Sequence, residues 1–241
     1  LQFINNDIKS KIIAVSSTIS GEGKTFVAIN LGGIIAFTGK KVVVIDLDMR
    51  KPKIHLALDT SNQNGMSEIL SKKNTIENCV KNSSLNNLDF ITAGTLPPNP
   101  SELIVSEVFD KTLEKLKKIY DIIIIDNPPV GLVTDGIPVL QKADYPIYIF
   151  KANYSRKNFV QNVEKLIRDN NLKKLSVVLN AVDAKRNEYS NKYGYGYGYG
   201  YGYGYGYGYG YGYGSDNSYY IEKDSKKEKT IFVKIKSYFK S

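Results

Sequence analysis

KIIAVSSTISGEGKTFVAINLGGIIAF, residues 11–37, is the stretch whose reading decides the fold. It opens with KIIAVSS (11–17), a continuous β-branched run with no in-out alternation, which reads as a strand buried on both faces. It closes in a helix-compatible stretch, about 24–38. Working outward, runs of the same kind recur at KVVVIDLD (41–48), LDFITAG (88–94), YDIIIIDNPP (120–129), YPIYIF (145–150) and LSVVLNAV (175–182). Between them lie further helix-compatible stretches at about 101–119, with Leu103, Val105, Phe109, Leu113 and Leu116 on one side, and at about 156–169. Strands alternating with helices predict an α/β fold built on a doubly wound, mostly parallel sheet. Ligands of such sheets bind beyond the C-terminal strand ends, so the chemistry is expected just after these strands.

The composition bounds what surrounds that sheet. Of 241 residues, 42% are hydrophobic, enough for a real core. The single cysteine, Cys79, has no internal disulfide partner, which fits a reducing compartment, and the expected location is the cytoplasm. No run approaches the roughly 20 apolar residues of a membrane span, and the start LQFINNDIKS has neither the basic nor the apolar region of an export leader. Because the chain begins at Leu1 rather than Met, a stretch upstream is expected to be missing. The formal charge is +9, but residues 215–241 alone hold seven Lys against four acids, so nucleic acid is not the expected partner. A basic end of this kind suits the anionic inner face of a membrane.

From Tyr193 to Gly214 the chain is a strict Tyr-Gly repeat, with nothing to fill a core, and it reads as disordered. The expected division is therefore a folded domain over 1–190 and a tyrosine-glycine cluster with a basic tail over 191–241. The closing KEKTIFVKIKSYFKS mixes apolar residues with Lys and reads as a solvated or surface-binding end.

Three places carry chemistry. After the first strand, Gly21, Gly23, Lys24 and Thr25 match the end of a phosphate-binding loop that leads into a helix. Glycines let backbone N–H groups face phosphates, the lysine reaches the β- and γ-phosphates, and the threonine hydroxyl ligates Mg²⁺. Ser20, Gly21, Glu22, Gly23, Lys24, Thr25 and Phe26 are the candidate nucleotide-binding residues. The usual first glycine is replaced by Thr18. The second strand ends in VVVIDLDMRKP, where Asp46 and Asp48 are expected on one side of the strand, able to hold Mg²⁺ and its waters or to accept a proton. In isolation the same pair would read as a helix cap or a solvated loop end. Asp126 closes the apolar strand IIIID before Asn127, Pro128 and Pro129, the usual position of an anchor for the Mg²⁺ water shell. Lys24, Asp46, Asp48 and Asp126 are thus the catalytic candidates, and Thr25, Asp46 and Asp126 the metal candidates.

These elements resemble the bacterial tyrosine kinases that control capsule and exopolysaccharide synthesis, over roughly residues 1–185. The resemblance rests on SGEGKT (20–25), VIDLDMRKPKIH (44–55), LPPNPSELI (96–104) and IIIIDNPPV (122–130). It implies a P-loop domain of MinD/ParA type using ATP and Mg²⁺, with Lys24 and Thr25 in the Walker A roles, Asp46 and Asp48 in A′, and Asp126 in B. It further implies phosphorylation by neighbouring subunits of tail tyrosines, here Tyr193, Tyr195, Tyr197, Tyr199, Tyr201, Tyr203, Tyr205, Tyr207, Tyr209, Tyr211 and Tyr213. The implied partners are a transmembrane adaptor or polysaccharide co-polymerase that recruits and activates the kinase at the membrane, a tyrosine phosphatase, and polysaccharide-synthesis enzymes as substrates. A homo-oligomeric ring is implied if a Glu/Arg-rich upstream helix is present. Asn127 departs from the family's usual Thr.

Two other readings share parts of this pattern. A MinD/ParA-type ATPase has the same fold and motifs but carries a second lysine five residues before the loop lysine, where this chain has Ile19. A silent scaffold with a sticky tail would not need all of Lys24, Thr25, Asp46, Asp48 and Asp126. His55 reads as structural or nucleotide-neighbouring, Cys79 is assigned nothing, and Arg50 reads as a phosphate or subunit contact or a surface ion pair.

Overall fold

The computed structural model describes residues 10–131, 134–172 and 174–183; the Tyr-Gly repeat and the basic end lie outside the described residues. In chain order the elements are β1 (Lys11–Ser17), α1 (Lys24–Phe37), β2 (Val42–Asp46), α2 (Ile54–Ala57), α3 (Met66–Leu70), α4 (Ile76–Cys79), β3 (Lys81–Asn82), β4 (Leu88–Ile91), α5 (Pro100–Ile104), α6 (Glu107–Lys117), β5 (Ile122–Asp126), α7 (Ile137–Lys142), β6 (Tyr145–Lys151), α8 (Asn158–Asp169) and β7 (Ser176–Asn180). A short 3-10 turn, Thr134–Gly136, precedes α7. The sheet has seven strands in the order β3-β4-β2-β5-β1-β6-β7. All neighbours run parallel except the short β3, which is antiparallel to β4. This is the doubly wound sheet expected from the alternating runs.

The central strands are buried on both faces because helices cover both. Ile12, Ala14, Val43, Ile45, Ile123 and Ile125 point into one core with Met66, Ile69, Phe109, Leu113 and Leu116 of α3 and α6. Ile13, Val44 and Ile124 alternate to the other face, against which α1 packs. That approach is close: a Cβ on Gly32 would stand 2.9 Å from Val44 Cγ2 and 3.3 Å from Leu88 Cδ1. Gly32→Ala gains about 1 kcal/mol of helix propensity, but overpacking against a stiff valine in a central strand costs about 1–3 kcal/mol. The variant is expected to be less stable by about 1 kcal/mol, read from the midpoint of urea unfolding. A rise in stability would show that the helix can back away from the sheet.

Several expectations are corrected. The helix over 101–119 is two helices, because Ser106 caps α6, its hydroxyl accepting from Phe109 N–H, and the chain bends there. Val105 falls at the break and is exposed, while Phe109, Leu113 and Leu116 are buried as expected. The strand over 41–48 ends at Asp46, so Asp48 lies in the loop beyond β2 and not on one strand face with Asp46. The last strand is not buried on both faces: β7 is the margin of the sheet, and Val177 and Leu179 are more than half exposed. Cys79 is a buried free thiol in α4, pushed up by burial.

Candidate functional site

Three neighbouring strands, β2, β5 and β1, end at the same level. Asp46 is paired in register with Asp126, and Val15 with Asp126. The Leu47 N–H donates to the Asp126 carbonyl (2.9 Å) and the Asn127 N–H to the Val15 carbonyl (3.0 Å), so the loops leave together. The loop after β1 turns through Gly21 (φ 89°) and Gly23 (φ 97°), conformations an L side chain resists. Gly23 also has no room, since a Cβ there would meet Asn180 Nδ2 at 2.1 Å. Lys24 begins α1 and is 6% exposed.

The remaining loop residues divide into those that face out and those that brace. Ser20 and Phe26 are partly open, Phe26 half exposed. Glu22 is buried: its carboxylate accepts from the Ile19 N–H (2.8 Å) and from the Ser155 hydroxyl. The Tyr154 hydroxyl donates to the Ser20 carbonyl (3.0 Å), and Asn180 Nδ2 to the Glu22 carbonyl (3.1 Å). Thr18, in place of the usual glycine, takes a hydrogen bond from the Tyr148 hydroxyl (3.1 Å). β6, the turn after it and β7 therefore brace the loop. The braces from Tyr148, Tyr154, Ser155 and Asn180 were not legible in the chain, because each joins residues more than 100 positions apart.

The three acids have different surroundings. Asp46 is fully buried; one oxygen accepts from Lys53 N–H (3.0 Å) and Ile54 N–H (3.1 Å), the other from Asp48 N–H (3.1 Å), so it fastens the loop to the start of α2. Asp48 uses one oxygen for Lys51 N–H (3.1 Å); its second oxygen takes no hydrogen bond among the described residues. Asp126 accepts the Thr25 hydroxyl on Oδ2 (2.5 Å), while its buried Oδ1 has no partner among the described residues. A buried, unpartnered carboxylate oxygen beside a threonine hydroxyl is a hard-oxygen donor set, which fits a Mg²⁺ ion.

Burial raises the Asp126 carboxyl to about 6, and the charge of Lys24 and the Thr25 hydroxyl only partly oppose it. Burial, and then the charge of Asp126, raises Asp46 as well. Burial raises Asp48, with Lys24 opposing. For an acid raised on folding, the native state holds the proton more tightly than the unfolded chain does. Stability is therefore lost as pH rises from the ordinary 3.8 through about 6, and stays lost above. Removing the charge should return part of it. Without nucleotide, Asp126→Asn is expected to be more stable than the parent at pH 7.5 by about 2 kcal/mol, the difference vanishing near pH 4. Equal stability across that range, by urea unfolding, would mean the charge is not strained.

Arg50 makes an ion pair with Asp135 (3.1 Å), and its Nη2 also donates to the Ser101 hydroxyl (3.0 Å), tying the loop after β2 to α5 and to the turn after β5. Asn127 donates from its amide to the Gly136 carbonyl (2.8 Å) and fixes the same turn. His55 lies in α2, its Nδ1 buried without a partner among the described residues, and is held below its usual pKa by burial.

With this geometry in place, comparison with known proteins is informative. The family model described as an AAA domain matches residues 10–179. The tyrosine-protein kinase Wzc of Salmonella typhi is 34% identical over 194 residues, 80% of this chain but 27% of that protein. This chain thus spans about a quarter of the length of that relative. The tyrosine-protein kinase YwqD of Bacillus subtilis is 32% identical over 194 residues, 80% of this chain and 82% of that protein. Among solved structures, the kinase domain of the Escherichia coli tyrosine kinase ETK superposes with a TM-score of 0.69 at 27% identity, covering 81% of this chain and 74% of that one. The chain belongs to the AAA domain family and, with YwqD and Wzc, to the family of bacterial tyrosine-protein kinases.

Proposed function

We propose that this chain is an ATP- and Mg²⁺-dependent protein-tyrosine kinase that phosphorylates the tyrosines of its own C-terminal repeat, Tyr193 through Tyr213, between molecules. The observation that carries this reading is the convergence of Lys24, Thr25, Asp46, Asp48 and Asp126 at the ends of β1, β2 and β5. It is supported by relatives of about one-third identity that are named tyrosine-protein kinases rather than positioning ATPases.

The residues take distinct roles. The backbone of Ser20–Thr25 at the N-terminus of α1 cradles phosphates, with Phe26 beside them, and Lys24 neutralises charge on the β- and γ-phosphates. Thr25 and Asp126 would hold Mg²⁺; Asp46 adds charge and keeps the loop in place. Bound there, the ion would neutralise charge on the transferring phosphoryl group. Asp48 orients the acceptor phenol and takes its proton as the tyrosine oxygen bonds to the γ-phosphorus and the bond to the β-phosphate oxygen breaks. Burial makes it a better base than an ordinary aspartate.

Half of residues 193–214 are Gly, and a coil of such composition and length would span on average about 25 Å, enough to reach a neighbour. We place a kinase domain over residues 1–190 and its acceptor tail over 191–241. The setting is capsule or exopolysaccharide synthesis and export, at the cytoplasmic face of the membrane. No helix among the described residues is long and apolar enough to cross a membrane, which fits recruitment by a transmembrane adaptor. A tyrosine phosphatase, polysaccharide-synthesis enzymes and a ring of like subunits complete the proposed partners. Incubation with Mg-ATP followed by phosphosite mapping tests the reading. Phosphotyrosine within 193–213 is expected; ATP turnover without any phosphotyrosine would favour the ATPase alternative.

A further inference from the structure

The Ser20–Thr25 loop must hold its peptide planes in one orientation if its N–H groups are to meet phosphates, and its glycines lend it little stiffness of their own. Three successive carbonyls of the loop are each taken by a side chain. Tyr154 Oη donates to the Ser20 carbonyl (3.0 Å), Lys151 Nζ to the Gly21 carbonyl (3.4 Å) and Asn180 Nδ2 to the Glu22 carbonyl (3.1 Å). These donors stand at the end of β6, in the turn after it and at the end of β7. A trans peptide is planar, with its C=O and N–H pointing opposite ways. Carbonyls drawn toward β6 and β7 thus turn the N–H groups of Gly21, Glu22 and Gly23 to the other side of the loop. None of those three N–H groups donates to a protein group among the described residues. The positive φ of Gly21 (89°) and Gly23 (97°) is of the kind that gathers successive N–H groups into an anion-binding concavity.

The donors are themselves fixed. The Lys151 N–H donates to Ser155 Oγ (2.8 Å), and the N–H groups of Tyr154 (3.2 Å) and Ser155 (2.9 Å) return to the Lys151 carbonyl, so the turn after β6 is closed on itself. Ser155 Oγ in turn donates to the Glu22 carboxylate, docking that turn on the loop. Lys151 Nζ stands 5.0 Å from the centre of the Tyr154 ring. The ring lies against Gly21, where a Cβ would come within 2.9 Å of Tyr154 Oη. Asn180 Oδ1 accepts from the Ala181 N–H (2.8 Å), which sets the direction of its amide. Glycine at 21 and tyrosine at 154 are parts of one arrangement.

We infer that Tyr154 and Lys151 are positioning residues for the nucleotide, turning the peptide planes of the loop before the phosphates arrive; this rests on the phosphate-loop reading above, whatever the acceptor tyrosine. With the planes already set, the loop need not be ordered on binding, and affinity rises by the cost avoided. A carbonyl released from its brace is free to swing toward the anion, where its negative end repels phosphate and its N–H points away. The N–H groups meet the phosphates alike before and during transfer. Loss of a brace therefore falls on affinity and KM rather than on saturated turnover.

The test uses the full chain and two probes, ADP and inorganic pyrophosphate, each with Mg²⁺ and followed by calorimetry, with KM for ATP and kcat measured separately. Tyr154→Phe keeps the ring against Gly21 and removes only the hydroxyl. Lys151→Met removes the charged donor, and Lys151→Arg supplies one again. Tyr154→Phe and Lys151→Met are each expected to weaken both probes and raise KM for ATP by about five- to tenfold, the scale of one lost hydrogen bond, with kcat within about twofold. Tyr154 is 47% exposed, so the urea midpoint of its variant should stay at the parent value, and Lys151→Arg should bind like the parent. Parent-like pyrophosphate binding by both Tyr154→Phe and Lys151→Met overturns the inference. So does a loss confined to ADP, which would set Tyr154 against the nucleoside and not behind the loop. A parent chain that binds neither probe would sink the phosphate-loop reading and the inference with it.

Discussion

Lys24→Met is expected to abolish tail phosphorylation, by roughly 10³-fold or more, and to remove tight Mg-ATP binding. Lys24 sits at the first position of α1, buried, at the end of a loop whose glycines aim backbone donors. Its charge does more than face phosphates. It also holds down the pKa values of both Asp48 and Asp126, which burial pushes up. Methionine keeps the bulk but removes that charge, so both carboxyls move further up, and the phosphate contact is lost with it. Phosphotyrosine at the parent level in the variant would show that the loop does not cradle the transferred group.

Asp48→Asn separates chemistry from binding. The amide is the same shape and can still accept from Lys51 N–H through its oxygen, so the loop after β2 should keep its course. Nucleotide affinity is expected within a few-fold of the parent, while phosphotransfer falls by roughly 10²-fold or more, the scale of a lost positioned base. Asp46 makes an informative contrast. Its oxygens take three backbone N–H groups, so Asp46→Asn must place an NH₂ group against backbone donors and should loosen the loop itself. If nucleotide affinity collapses in Asp48→Asn, the roles of the two aspartates are exchanged.

Periodicity made the sheet legible. Runs such as Ile122–Asp126 can only be strands buried on both faces, and Gly-Lys-Thr after a strand fixes where α1 begins. The break at Ser106 was not legible, because Val105 continues the apolar pattern of a single helix and only the cap hydrogen bond reveals the bend. The short helices α2, α3 and α4 lack the length for a period to show. Asp48 read as part of a strand because Leu47 prolongs the apolar run VVVI past Asp46; the backbone N–H groups of Lys53 and Ile54, which capture Asp46 where the strand ends, leave no mark in the pattern. That Asp46, Asp48 and Asp126 would lie together was legible; which of their oxygens the fold fills was not.

The central claim is transfer between molecules to the Tyr-Gly repeat. It is tested most directly by mixing two chains with labelled Mg-ATP: Lys24→Met with its tail intact, and the parent truncated after Ser190, active but without acceptors. Label on Tyr193–Tyr213 of the inactive chain is the predicted result. Label that appears only when an intact loop and an intact tail share one polypeptide, or no label on tyrosine in any mixture, would contradict it.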